Sequence, residues 1–394
     1  MLRSLYAGIA GLRAEQTMLD VTSNNIANVN TTGFKSSSVQ FEDTLSQTLS
    51  AAGLPQATKA GTNPSQVGLG VRVAAINTNL AQGEQQSTGN NLDTMISGDG
   101  YFVTTVGTQT LYTRDGAFHW DAQGRLATAD GGLVEGWRAV NGVINSGGTP
   151  GGISLPTGTV APAAATTKAT VTGNLDSTGT GGPSVKEISV YGKDGAQKTL
   201  SITFTPGANG AWTYSADDGS GTPVTGNLQC TNGKVTGTAS DLTPTTSDGI
   251  TIDMNGLTGF AGLATATLAT QDGTAAGRLL STTMGSDGTL SGTFSNGATI
   301  PLARLALATF VNPEGLEKAG NSTMSQTLNS GPASLTTAGD GSAGTIVAGA
   351  LEASNVDLSQ EFTNLIIAQR GFQANARIIT TSDQVLQDLV QLKQ

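Results

Sequence analysis

One cysteine and one histidine stand in a chain of 394 residues: Cys230 in "GNLQCTNG" and His119 in "GAFHWD". A single thiol makes no disulfide within the chain and no thiolate metal cluster. Cys230 comes just before an Asn-Gly pair, where a small strand residue is expected rather than a nucleophile. His119 has no Cys–His or Ser–His–Asp arrangement to join and reads as a strand surface residue. Nine of the 29 carboxylates sit in Asp-Gly pairs, where turn geometry favours aspartate. "GDGYF" and "DGITIDMNG" resemble calcium or phosphate loops only in outline. They miss the EF-hand spacing and the Walker lysine, and read as turns. The expectation is therefore no catalytic site, no metal, no cofactor and no enzyme.

Composition points the same way. Glycine is abundant at 54 residues, charged residues make up 12%, aromatics 5% and hydrophobics 37%. A formal charge of −10 argues against nucleic acid and anionic membrane surfaces, since both call for a basic face. No run of 18 apolar residues occurs, so no membrane insertion is expected. The N-terminus carries Arg3 and an apolar stretch from Ala7 to Leu12, but Arg13 and Glu15 interrupt it and no small-residue cleavage site follows. It reads as a helix, not a cleaved signal peptide.

That helix must position something. Leu5, Ile9, Leu12, Gln16, Leu19, Ser23 and Ile26 step by four and three, a heptad seam with two polar members. Ala7, Gly11 and Ala14 make a second, small-residue face. Glycine within a helix costs about 1 kcal/mol against alanine, which a close helical neighbour would offset. At the other end Asp357 is placed to cap a longer helix, with Gln360 three residues on. Leu358, Phe362, Leu365, Gln369, Phe372, Ala376, Ile379, Asp383, Leu386 and Val390 repeat the same stepping. Such seams serve either a two-helix closure of one domain or an assembly with other copies.

Between the helices the period changes to two. Ile188 and Val190, then Leu200, Ile202 and Phe204, then Trp212 and Tyr214 alternate along successive strands. Asp-Gly and Asn-Gly pairs at 194, 209 and 218 supply turns, and further pairs follow at 130, 141, 232, 287 and 296. The body is expected to be mainly antiparallel β, sandwich- or barrel-like. Gly-, Ser- and Thr-rich tracts at 30–70, 145–184 and 320–345 mark breaks.

Four stretches, in order, resemble a known family. "SNNIANVNTTGFK" resembles the N-terminal signature of the axial proteins of the bacterial flagellum, its rod and hook. "GDGYFVTTVGTQTLYTRDGAFHWDAQGRLATADGGLVEGW" resembles their shared β-rich segment. "LALATFVNPEGLEKAGNSTMSQTLNSG" and "GALEASNVDLSQEFTNLIIAQRGFQANARIITTSDQVLQDLVQL" resemble their C-terminal part. The large insertion from Ser146 to Met284 favours a hook member over a distal rod member. A secreted β-rich adhesin would account for the Gly/Thr-rich meander but not for two terminal heptad helices.

The resemblance implies a nested architecture. Residues 1–28 and 356–394 would pair as a coiled coil. Residues 29–70 and 341–355 would form an extended connection, 71–145 and 284–340 an inner β domain, and 146–283 an outer β domain. Leu5, Ile9, Leu12, Leu19, Ile26, Leu358, Phe362, Leu365, Phe372, Ile379, Leu386 and Val390 would be the polymerisation residues. The signature residues Asn24, Asn25, Asn28, Asn30, Thr31, Thr32, Gly33, Phe34 and Lys35 would form the helix exit, with the Asn and Thr side chains competing for helical hydrogen bonds. Gly33 would permit unusual backbone angles and Phe34 would anchor in an apolar groove. The implied function is a subunit of a curved tubular universal joint carrying torque from rod to filament. The implied partners are other copies in a homopolymer, the rod and hook–filament junction proteins, a hook cap, and the flagellar type III export apparatus. The implied location is extracellular, in the flagellum.

Overall fold

The computed structural model describes residues 2–54, 60–155, 158–179 and 181–391. Two helices, Leu2–Ala27 and Leu358–Gln391, stand at the ends of a chain that is otherwise mainly β. No helix among the described residues is long and apolar enough to cross a membrane. By internal contacts the chain divides into two units. The first holds 1–156, 283–291 and 301–394; the second holds 157–282 and 292–300. This division differs at its edges from the expected insertion of 146–283. The segment 146–156 stays with the first unit because Gly151 and Gly152 pair with Gly136 and Glu135, and Ile153 is buried in that unit's core.

In the first unit the two helices pack against each other, and the N-terminal one also lies on an antiparallel pair, Ser37–Asp43 with Val71–Thr78. The segment 29–70, expected as an extended connection, thus carries paired strands, including a further hairpin, Ser46–Ser50 with Ser65–Gly68. The central strand Tyr101–Val106 is flanked by Gln109–Thr113 and by Leu133–Val140. Its first four residues are all buried because both of its faces are covered. Phe102 points into a core with Ile96, Phe118, Leu126, Leu290, Leu305 and Leu307, while Tyr101 and Val103 point into another with Tyr112, Trp137 and Met324. Strands buried on both faces lose the alternation that betrays a half-exposed strand. His119 is exposed on the strand Phe118–Trp120.

The second unit is built on eight strands in the order 184–191, 197–206, 211–217, 224–231, 233–236, 251–259, 168–174 and 267–271. Val190, Leu200, Ile202, Phe204, Trp212, Tyr214, Leu228 and Ile252 fill one core. Reciprocal backbone and side-chain bonds between Thr166 and Tyr191 bring the first strand back toward the segment leading into 168–174, so the sheet curls as a barrel does. One pairing departs from the antiparallel rule: Lys168–Asn174 runs parallel to Thr251–Gly259. Cys230 is a buried strand residue whose thiol pKa is raised, chiefly by burial. Asn232 and Gly233 take left-handed angles, φ +52° and +77°, in the two-residue loop between the paired Thr231 and Lys234. That is the type I′ hairpin an Asn-Gly pair favours.

Candidate functional site

The signature residues and the paired helices adjoin. Asn25, in the last turn of the N-terminal helix, is 1% exposed. Its Nδ2 donates to Ser37 O at 2.8 Å and to Glu361 Oε1 at 2.9 Å, while its Oδ1 accepts from Ser37 N at 3.0 Å. An amide both donates and accepts, so one side chain ties the helix end to the outgoing strand and to the opposite helix. This differs from a role in breaking helical bonds. The local role falls to Asn28, which donates to Asn24 O at 2.9 Å, and to Thr31, which donates to Asn28 Oδ1 at 3.1 Å. Thr32 reaches across to Asp115 Oδ1 at 3.0 Å. Asn24 and Asn30 are exposed.

Gly33 has φ +65°, and a Cβ there would meet Asp115 N at 2.7 Å and the carbonyl carbon of Arg114 at 2.8 Å. Both the angle and the close approach therefore require glycine. Its N–H donates to Glu352 O at 2.8 Å. Phe34 is half-buried, with Lys318 Nζ 5.1 Å over its ring. Lys318 also donates to Lys35 O at 3.1 Å and Ser37 Oγ at 2.9 Å, and burial lowers its pKa. Asn24, Asn28, Thr31, Phe34 and Lys318 help line an open cavity of about 630 Å³.

Lys35 is the buried end of the signature. Its Nζ donates to Glu352 Oε1 at 2.6 Å and to Ala81 O at 2.8 Å. Glu352 also accepts from Gly83 N at 2.9 Å and faces Arg114 Nη1 at 3.4 Å. Arg114 in turn lies 5.2 Å over the Tyr101 ring. Burial pushes the Lys35 pKa down, and the Glu352 carboxylate opposes that shift. Glu352 and Arg114 lie inside the family-like stretches, but nothing local in the sequence marks their pairing, since Glu352 is 317 positions from Lys35 and 238 from Arg114.

The helices run antiparallel: Gly8 faces Ile379, Gly11 faces Asn375, Glu15 faces Gly371 and Asn25 bonds Glu361. The contact uses the small-residue face. Gly8, Gly11, Ala14, Thr22 and Asn25 are the buried positions of the N-terminal helix, and Glu361 and Ala368 those of the C-terminal one. A Cβ on Gly11 would stand 2.6 Å from Asn375 Nδ2, so the glycine leaves room for that side chain in the helix contact. Burial raises the pKa of Glu15, one of whose oxygens is enclosed beside Gly371. Asp357 caps the C-terminal helix, accepting from Ser359 N at 2.8 Å and Gln360 N at 3.3 Å. The Gln360 side chain turns instead to Asn364.

The expected seam lies to one side of this contact. Glu361, Ala368, Asn375 and Ser382 face inward, each one residue before Phe362, Gln369, Ala376 and Asp383, which is about 100° around a helix. Leu5, Leu12, Leu19, Ile26, Leu365, Ile379 and Leu386 are half-buried along its edges. Ile9, Leu358, Phe362, Phe372 and Val390 are exposed. Two apolar flanks of the C-terminal helix therefore stay uncovered by the described residues. Phe362 and Ile366, 51% and 57% exposed, lie on one side; Ile367, Ile378 and Val385 lie on the other.

Known proteins share this arrangement of sequence. Residues 5–35 match the family described as flagella basal body rod protein. Residues 95–176 match the flagellar hook protein FlgE/F/G D1 domain, and 347–392 the flagellar basal body rod FlgEFG protein C-terminal. The flagellar hook protein FlgE of Treponema pallidum (strain Nichols) is 37% identical across all of both chains. That of Borreliella burgdorferi is 36% identical across all of both chains. The flagellar basal-body rod protein FlgG of Bacillus subtilis (strain 168) is 34% identical, again across all of both chains. Paired terminal helices around a β-rich body, with these matches, define an axial protein of the bacterial flagellum. The chain belongs to the flagellar hook protein FlgE family, a structural component of the flagellar hook.

Proposed function

We propose that the chain is a hook subunit that polymerises through its terminal helices into a curved tube, a universal joint passing torque from rod to filament. The uncovered flanks of the C-terminal helix support this most directly. Phe362 and Ile366 on one side, and Ile367, Ile378 and Val385 on the other, are apolar surface on a helix already occupied by its partner. Further helices from neighbouring copies would bury them. Heterologous contacts that do not close generate helical polymers. Leu5, Ile9, Leu12, Leu19, Ile26, Leu365, Phe372, Ile379, Leu386, Leu358 and Val390 would flank those contacts. The first unit would supply the inner layer, and the second, largely the insertion, the outer layer. Polar outer surfaces would slide during bending, because few apolar contacts must break. The rod, the hook–filament junction, a hook cap and the type III export apparatus would be its further partners. Passage of an unfolded chain through that apparatus suits a protein with one cysteine. The test is electron microscopy of the purified protein at rising concentration. Short curved tubes are expected; straight rods would contradict the curved-joint reading, and a persistent monomer would refute polymerisation through these helices.

A further inference from the structure

Glu361 and Glu15 both meet the contact between the terminal helices, and they are treated differently. Glu361 accepts from Asn25 Nδ2 at 2.9 Å. Glu15, near the middle of the pair, has an enclosed Oε2 with no hydrogen-bond partner among the described residues. Its carboxyl lies against the Gly371 backbone, where an added Cβ would stand 2.6 Å from Glu15 Cδ. The glycine thus leaves a seat for the group. An enclosed carboxylate without a donor is costly, whereas the protonated form carries no charge. The charged groups on the packed elements face water or are engaged elsewhere. Arg13 and Asp20 on its own helix are exposed. On the opposite helix Arg370 and Arg377 are exposed, and Arg370 donates to Gln373 Oε1 at 3.2 Å. On the strand pair against which the N-terminal helix lies, Arg72 is paired with Glu42, and Asp43 is exposed. Burial is the cause that raises the Glu15 pKa.

We propose that Glu15 is a proton-operated latch on the terminal helices, its carboxyl seated over Gly371 when protonated and turned out to water when ionised. The side chain is half-buried and flexible, so the outward position is within its reach. A carboxyl whose folded pKa is raised binds its proton more tightly in the paired helices than in the separated ones. Its contribution to pairing is therefore full below the unfolded value, about 4.3, and is lost as pH rises through the folded one. Mild acid closes the latch; neutral solution releases it. The latch acts within one chain, so it stands apart from the polymer reading.

The test is hydrogen exchange by mass spectrometry on the full-length monomer, from pH 4.5 to 7.5, corrected for the intrinsic effect of pH on exchange. Glu15→Gln keeps the shape of the side chain and removes the charge. Gly371→Ala keeps the acid and fills its seat. Neither is a poorer helix former than the residue it replaces. Protection of both helices in the parent should rise roughly threefold or more between pH 7.5 and 4.5, beyond any rise in Glu15→Gln. Glu15→Gln should already be the better protected at pH 7.5, and Gly371→Ala should lose the response. A parent and Glu15→Gln that follow the same pH course would overturn the proposal. Weaker protection of Glu15→Gln at neutral pH would also overturn it, because the charged form would then be holding the pair. A full response in Gly371→Ala would show that the seat is elsewhere, and a parent unprotected at every pH would show that no such contact forms; either result would overturn it.

Discussion

Glu352 holds the first unit together at the point where the signature ends. It is buried against Lys35 Nζ at 2.6 Å and Arg114 Nη1 at 3.4 Å. Breaking a buried pair by removing one partner leaves an uncompensated charge and costs about 3–5 kcal/mol. Glu352→Gln should therefore lower the melting transition of the first unit while leaving that of the second in place, as calorimetry would show. In the second unit Asp218 is the corresponding buried acid. Burial raises its pKa, but donors from Ser220, Thr246 and Asp248 outweigh that and hold it well below the ordinary carboxylate range. A depressed folded pKa adds stability that is full above the unfolded value, about 3.9, and fades as pH falls through the folded one. Asp218→Asn should cost about 1–3 kcal/mol at neutral pH. Its gap from the parent should begin to narrow below about pH 4 and close only as pH falls on through the depressed folded value, in denaturant melts run across that range; a gap constant with pH would mean the charge is not what matters. The sequence alone could not have named either cluster. Lys35 stands in a recognisable motif, but its partner lies 317 residues away.

Among elements, the contact of the two helices seats the Asn375 side chain over a glycine. Gly11 lies where a side chain would strike the whole Asn375 amide, with its carbonyl carbon and oxygen at 2.8 Å from a Cβ. Gly11→Leu should force the helices apart and reduce helical signal in circular dichroism, although leucine is the better helix former by about 0.8–1 kcal/mol. Gly371→Ala meets only the far end of Glu15, which can swing away, and should be mild. Equal helicity in Gly11→Leu and the parent would show that this contact does not set the helix spacing. The small-residue face at Gly11 and Ala14 was legible in the sequence, and so were the Asn-Gly hairpins at 141 and 232. The phase of the contact was not. A stripe as wide as that from Ile378 round to Phe362 offers several equivalent lines, and tertiary packing chose the one carrying Glu361, Ala368 and Asn375. The parallel pairing of Lys168–Asn174 with Thr251–Gly259 was equally hidden, since alternation fixes a strand's faces but not its neighbour.

For the molecule as a whole, the class of fold and the flagellar family were readable from four ordered motifs. The limits of the two units were not, because the fold assigns 146–156 to the first and 292–300 to the second through contacts that no composition break marks. The central claim is that the helix pair is half of an interface completed by other copies. Leu365 is a poor probe of it, being half-buried within the pair. Phe362 and Ile366 point away from the partner helix and are more than half exposed, so charging them leaves the monomer's own contacts in place. Buried between copies, each would contribute about 1.5–3 kcal/mol, and an unpaired aspartate there would add a desolvation cost. The most direct measurement is electron microscopy and sedimentation of Phe362→Asp/Ile366→Asp beside the parent, with Gln369→Glu as a neighbouring charged control. The account predicts an unchanged monomer melting temperature, tubes from the parent and from Gln369→Glu, and none from the double variant. Normal tubes from Phe362→Asp/Ile366→Asp would contradict it.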